Sequence, residues 1–304
     1  IWPPNWEQRN GLTSYTRLIS LAQVETEPGC VRLSAAFFAA SAERSISVSR
    51  VPAKFFVVDS GVDDMFEYDD SGNPLADDTW NLVSSKDPKG ATANAAGSTV
   101  WVIDKNRTVS VYDADGASLG SWTPRGLNRP EGIATDETHI WILDRKKKEV
   151  YRYANAAGKI SGSQNAASSF TLDGASSRPK GITTDGSSIW VVNDGKSDDH
   201  VFKYNLAGNL LGSWTIDGAN AKPSGITIDP SGSSQSIWIV DRGNNSVFQY
   251  VDAAGLLSGH RVAAVSFTLD ANNSRAEGIV TLASGPVNQS PVAMNDVYSV
   301  DEDN

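Results

Sequence analysis

The chain has 304 residues, 39% of them apolar, and a formal net charge of -10. That size allows a substantial core in one large or two ordinary domains, while the acidic balance excludes a general nucleic-acid binder, which needs excess Lys and Arg to displace phosphate counterions. The single cysteine, Cys30, excludes an internal disulfide, and no apolar run approaches the ~18 residues of a membrane-crossing helix.

Residues 1–53 match nothing that follows and read as an N-terminal leader or linker segment, or as an extra strand pair packed on the main domain. The start at Ile1 reads as a fragment or a processed product. Arg32 and the short apolar run to Ala42 loosely resemble the end of a secretory signal, but they lie far into the chain, and leader or linker is the preferred reading. Trp2 and Trp6 have no assigned role.

From Lys54 three landmarks recur in fixed order. The first is a glycine followed by a β-branched run, at Gly90, Gly132, Gly181, Gly225 and Gly278. The second is a continuous apolar strand ending in Asp or Asn: Phe55 to Asp59, Val100 to Asp104, Ile140 to Asp144, Ile189 to Asn193 and Ile237 to Asp241. The third is an alternating strand ending in Tyr68, Tyr112, Tyr153, Tyr204 or Tyr250, then a glycine turn and an outer strand with one large aromatic, Trp80, Trp122, Phe170, Trp214 or Phe267.

Four short strands repeated about every 40 to 50 residues are the mark of a β-propeller, whose units bury their faces only against each other. The second strands fit because a strand covered on both faces reads as continuous Val, Ile and Trp, whereas alternation in the third strands suits half-covered ones. The last glycine motif, at Gly278, has no second strand after it, and Phe55 to Asp59 has no first strand before it. The C-terminal strand therefore closes the first blade of an all-β propeller spanning residues 54–282, with five blades by repeat count, or six if residues 1–50 supply one.

The Pro-x-Gly-Ile, Ile-Trp-Ile-Val-Asp and Val-Phe-x-Tyr landmarks resemble NHL-type repeat propellers, whose relatives include peptide-amidating lyases, streptogramin lyases and gluconolactonase-like hydrolases. The resemblance implies the fold and leaves the function open between enzyme and binding module. Residues 283–304 read as a Gly/Pro/Ser/Asn linker followed by the start of a bacterial cadherin-like tandem repeat domain, on Pro291 to Asn304. That second resemblance implies calcium held by Asp301, Glu302 and Asp303, and a long secreted or surface-attached parent chain; a flexible acidic tail is the plainer reading.

A residue type present in every unit is architectural, whereas a position that varies inside a fixed motif is free to serve function. Trp80, Trp101, Trp122, Trp141, Trp190, Trp214 and Trp238 fall at repeat positions and read as core between blades. Asp59, Asp104, Asp144, Asp241 and the Asn193-Asp194 pair read as caps on the turns that follow, with a calcium site as the alternative. The position before the glycine varies: Lys89, Glu131, Lys180, Ser224 and Glu277. In propellers this turn lies at the mouth of the central channel, so these side chains are expected to ring one opening.

Arg129, Arg178, Lys222 and Arg275 flank them, and Lys105, Arg107, Arg145 to Lys148, Lys196 and Arg242 follow the second strands. This basic gathering predicts a face that attracts anions such as uronate or sulfate, against the plainer reading of a rim paired with its own carboxylates. The lengthened turns, residues 158–170 and 255–267, are expected to project from the opposite face as adaptable contact loops.

His139, His200 and His260 lack Ser or Cys partners, and no zinc or phosphate-binding motif is present. The resulting expectation is a non-catalytic extracellular or cell-surface ligand-binding or adhesion module. Its ligand is polysaccharide or cell-surface protein, and no membrane insertion is expected. The alternative, which the resemblance implies, is a calcium-dependent hydrolase or lyase using Glu131 or Glu277 with Asn193 and Asp241.

Overall fold

The computed structural model describes residues 53–75, 79–195, 199–230 and 235–283, with the backbone of Gln23–Glu27 and Cys30–Ser34. The chain divides into two units, Ile1–Val51 and Pro52–Asn304. The first holds one antiparallel hairpin, Gln23–Glu27 paired with Cys30–Ser34. The cadherin-like resemblance and Lys196 lie outside the described residues.

The second unit is a five-bladed β-propeller. Blade one joins Ala276–Thr281 to Phe55–Asp59, Asp64–Tyr68 and Trp80–Asn81. Blade two is Pro88–Ala93, Thr99–Asp104, Val109–Asp113 and Ser118–Arg125. Blade three is Pro130–Thr135, Ile140–Asp144, Glu149–Tyr153 and Ser168–Thr171. Blade four is Pro179–Thr184, Ser188–Asn193, His200–Asn205 and Leu210–Thr215. Blade five is Pro223–Ile228, Ile237–Asp241, Ser246–Tyr250 and Val265–Thr268. The C-terminal strand pairs with Phe55–Asp59, Ala276 opposite Asp59 and Thr281 opposite Phe55, as the order of elements predicts.

Five blades thus complete the ring among the described residues. A latch at this seam ties Lys54, just before the second strand of blade one, to Leu282, just after the closing strand. Lys54 Nζ donates to Leu282 O at 2.7 Å and lies 3.7 Å from Asp229, and Leu282 N donates to Lys54 O at 2.9 Å.

The innermost strands meet at their glycines. A Cβ on Gly90 would stand 2.9 Å from Gly132 Cα, one on Gly181 2.9 Å from Gly225 Cα, and one on Gly225 2.8 Å from Gly278 Cα. A Cβ on Gly278 would stand 2.8 Å from Gly90 Cα, and one on Gly132 3.3 Å from Gly181 Cα. Backbone thus packs on backbone right around the axis.

Further out, each gap between blades holds its own apolar cluster. Successive residues of a second strand serve opposite gaps: Phe55 and Val57 face blade five, and Phe56 and Val58 face blade two. This is why those strands are apolar throughout. The third strands are covered more fully than alternation suggests, since Val150 joins the cluster toward blade four while Tyr151 joins the one toward blade two.

All seven repeat tryptophans are buried. Each outer aromatic packs on the third-strand tyrosine of the next blade: Trp80 on Tyr112, Trp122 on Tyr153, Phe170 on Tyr204, Trp214 on Tyr250, and Phe267 on Tyr68, which completes the circle. Ring centroids lie 5.2 to 6.1 Å apart, the spacing aromatic pairs favour.

The two lengthened turns do not project as free loops. Ser163–Asn165 adds a fifth, parallel strand to the outer edge of blade two, and the blade-five insert lies along the outer edge of blade four through a single parallel bridge, Thr215 to His260, with Thr215 N donating to Gly259 O at 2.8 Å. The approach is possible because the outer strands carry glycine where the insert crosses: Gly120 beneath Ile160 and Gly212 beneath Leu257. Backbone groups of an exposed edge otherwise seek partners, and the inserts satisfy them.

If the glycine collar sets the fold, Gly181→Ala, whose Cβ would meet backbone that cannot yield, will destabilise by about 1–3 kcal/mol as overpacking does. Gly218→Ala, with nothing within 4 Å of the added carbon, will change stability by under about 0.5 kcal/mol. Urea midpoints of the two variants check this.

Candidate functional site: the Pro-x-Gly rim

In every blade the ladder between first and second strand slips by one residue just before the glycine. Pro130 pairs with Asp144 and Gly132 with Leu143, leaving Glu131 unpaired, and the same shift frees Lys89, Lys180, Ser224 and Glu277. Proline has no N–H to give the ladder, which suits a bulge, and a bulge re-aims its extra side chain. The five variable positions of the motif are thus the five bulged residues, brought together at one mouth of the channel.

The strand-end acids hold these bulges in place. Asp59 accepts Gly61 N at 2.5 Å and Val62 N at 3.1 Å on one oxygen and Arg275 N at 2.6 Å on the other. Asp241 takes Gly243 N, Asn244 N and Lys222 N, Asp144 takes Lys147 N, Asn128 N and Arg129 N, and Asn193 Oδ1 takes Arg178 N. Each cap spans from its own turn to the lead-in of the bulge, or to that lead-in alone for Asn193. They are buried turn caps, as a residue repeated in every blade should be.

The rim charges are partly paired. Glu131 Oε1 accepts Arg129 Nε and Arg145 Nη1, both at 3.1 Å. Glu277 Oε1 accepts Arg242 Nη1 at 2.8 Å, Ser60 Oγ at 3.3 Å and Lys89 Nζ at 3.4 Å. Lys89 also meets Asp87 at 2.5 Å, and Lys105 reaches the same carboxyl at 2.9 Å. Burial works against the Asp87 charge, but these two ammoniums prevail and hold its carboxyl below the usual range. Arg178 pairs with Asp194 at 3.0 Å and donates to its carbonyl at 2.7 Å.

Three candidates stand apart. Lys222 and Arg275 are exposed, their stems laid over Gly243 and Gly61, and among the described residues neither has a carboxylate within ion-pair distance. Lys180 is buried, and burial lowers its pKa; Glu131 and Glu277 oppose that shift, while Arg145 and Arg242 add to it.

The channel itself is closed to organic molecules. The space at the glycine collar, lined by Lys89, Glu131 and Glu277, amounts to about 10 Å³, and a second space lined by Thr92, Thr135, Thr183 and Thr281 to about 40 Å³. One water needs roughly 10–15 Å³. A saccharide or peptide must therefore lie over the rim.

Among the described residues no three His, Cys, Asp or Glu side chains converge as a metal ion requires. The carboxylates that the calcium reading uses already hold guanidiniums or backbone N–H groups. His139 meets Asp136, and His200 meets Thr215, beside which the His260 backbone runs parallel. No helix among the described residues is long and apolar enough to cross a membrane.

No family model and no curated protein matches the sequence. Among solved structures the propeller resembles a chain of a nidogen/laminin complex, 13% identical, with a TM-score of 0.51 over 75% of this chain and 98% of that one. Weaker likenesses are to a functionally unknown protein from Desulfotomaculum acetoxidans (17% identical, TM-score 0.43, covering 86% and 81%) and to Myxococcus xanthus glutaminyl cyclase (11%, 0.43, 58% and 70%). At these identities the likeness to the first shows a shared fold alone.

One group near the rim titrates in an accessible range. Burial, assisted by the charge of Asp194, pushes the Asp199 carboxyl up to about 6 from 3.8, against the hydrogen bond from Gly195 N. The folded protein then binds a proton that the unfolded chain has released, so stability falls as pH rises from about 4 to about 6. In Asp199→Asn that descending limb will flatten, which melting temperatures across the range will show.

Proposed function

We propose that the propeller is a non-catalytic, extracellular ligand-binding or adhesion module of NHL type, within a larger bacterial surface or secreted protein, and that a polysaccharide or cell-surface protein lies over the Pro-x-Gly rim. One observation carries this reading. The five bulges deliver varied side chains to one mouth, and around it Lys180, Lys222 and Arg275 have no ion pair among the described residues while both glutamates are engaged by arginines. A face with unmatched cations on an acidic chain is built to meet anionic groups.

The closed channel supports a surface-binding role, since a ligand of any size stays on the rim. The acidic, Asn- and Ser-rich composition and the cadherin-like resemblance of the C-terminal residues support an extracellular setting. That second resemblance also makes neighbouring domains of the same chain the structural partners.

The purified chain will be retained on anionic polysaccharide beads, with and without calcium, and release no fragments. Replacing Lys222 and Arg275 by Ala will weaken retention by about 0.2–1 kcal/mol per charge and shallow its salt dependence. Released product would overturn the non-catalytic reading, and retention indifferent to both substitutions would move the ligand off this face.

A further inference from the structure

Around the ring the bulged residues run Lys89, Glu131, Lys180, Ser224, Glu277, and four of them find partners at the rim. The Ser224 hydroxyl donates to Ala276 O at 2.8 Å, and the lysine and glutamate contacts are those given above. Lys180 is the exception. Only 7% of its surface is exposed, yet among the described residues no carboxylate lies within ion-pair distance of Nζ and no acceptor within hydrogen-bond distance. Its stem is buried, but Nζ is not among the fully enclosed unpartnered atoms, so the ammonium is partly desolvated while still reachable from the mouth.

Its surroundings say what would offset that desolvation. Lys180 feels Glu131 and Arg145 from blade three, Arg242 from blade five and Glu277 from blade one, and its bulged position presents the side chain to the mouth that these residues share. Both glutamates already face guanidiniums, so among the described residues neither is left as a partner for Lys180. Ser224 is the smallest of the five side chains, so the ring is least filled beside Lys180. The space at the glycine collar holds at most one water, so an entering group stops at the mouth, above the glycines.

We infer that Lys180 is the seat for one compact oxyanion group of the ligand, a carboxylate or a sulfate, which enters the mouth beside Ser224 and takes the ammonium as its charge-assisted partner. The inference rests on the ligand occupying this face, and adds the chemical group and the side chain that reads it. Lys222 and Arg275 then hold the flanking chain on the surface, while Lys180 makes the desolvated contact.

The test is heat unfolding of the full chain at constant ionic strength in rising sodium sulfate and, separately, sodium glucuronate. Wild type is compared with Lys180→Met, which keeps the length and removes the charge. Sulfate stabilises most proteins gradually by exclusion from their surfaces, whereas a site adds a rise that saturates. A saturating rise is expected in wild type, with apparent affinity lower by about tenfold or more in Lys180→Met, which itself melts above wild type without anion. The better of the two salts names the group.

Equal responses in both proteins would overturn the inference. Should the site saturate while polysaccharide beads fail to retain the chain, the oxyanion seat stands and the polymer ligand falls. Beads that retain Lys180→Met as well as wild type, with no saturating response, would remove the seat and leave the face.

Discussion

Everything in the propeller depends on how closely five backbones can approach one axis. At the collar formed by Gly90, Gly132, Gly181, Gly225 and Gly278, an added methyl group would meet the neighbouring strand's backbone within about 2.8 to 3.3 Å. None of these glycines has a positive φ, so the requirement is for space and not for an unusual conformation. With side chains at the collar the inner strands would stand apart, and the gaps between blades, filled by Trp, Tyr and Ile, would no longer match their contents.

The collar also creates the rim. Immediately before each glycine the chain bulges, and a buried acid or amide from the second strand fixes the bulge by accepting backbone N–H groups of its lead-in. Architecture and site are therefore two sides of one device. The repeated Pro, Gly and Asp hold the backbone, and the residue between Pro and Gly, left out of the strand ladder, is presented to the mouth. That residue differs from blade to blade, Lys, Glu, Lys, Ser and Glu, while the frame around it is the same.

The same economy explains the outer edge. Blades two and four carry Leu-Gly-Ser-Trp in their outer strands, at Leu119 to Trp122 and Leu211 to Trp214, and the following blades carry the long inserts. Glycine in each outer strand lets the insert lie close enough to hydrogen-bond. The signal was present in the alternation of these two features, but composition alone suggested free loops, because Ser, Gly and Asn serve equally in a loop and in a narrow edge strand.

Number of blades, closure by the C-terminal strand, the inter-blade tryptophans and the membership of the rim were all legible in the sequence. They follow from patterns repeated five times, in which steric need leaves the same residue at the same place: Gly278 repeats the glycine of the other blades even where Ala276 replaces their proline. What only the tertiary structure decided is which charges are spent. Among the described residues Lys89 finds carboxylates and Lys180 does not, and Arg129 and Arg178 do whereas Lys222 and Arg275 do not, although each set stands in the same sequence context. Ion pairing is set by distances across blades far apart in the chain, such as Lys89 to Glu277, and no local pattern encodes a distance between residues 188 positions apart.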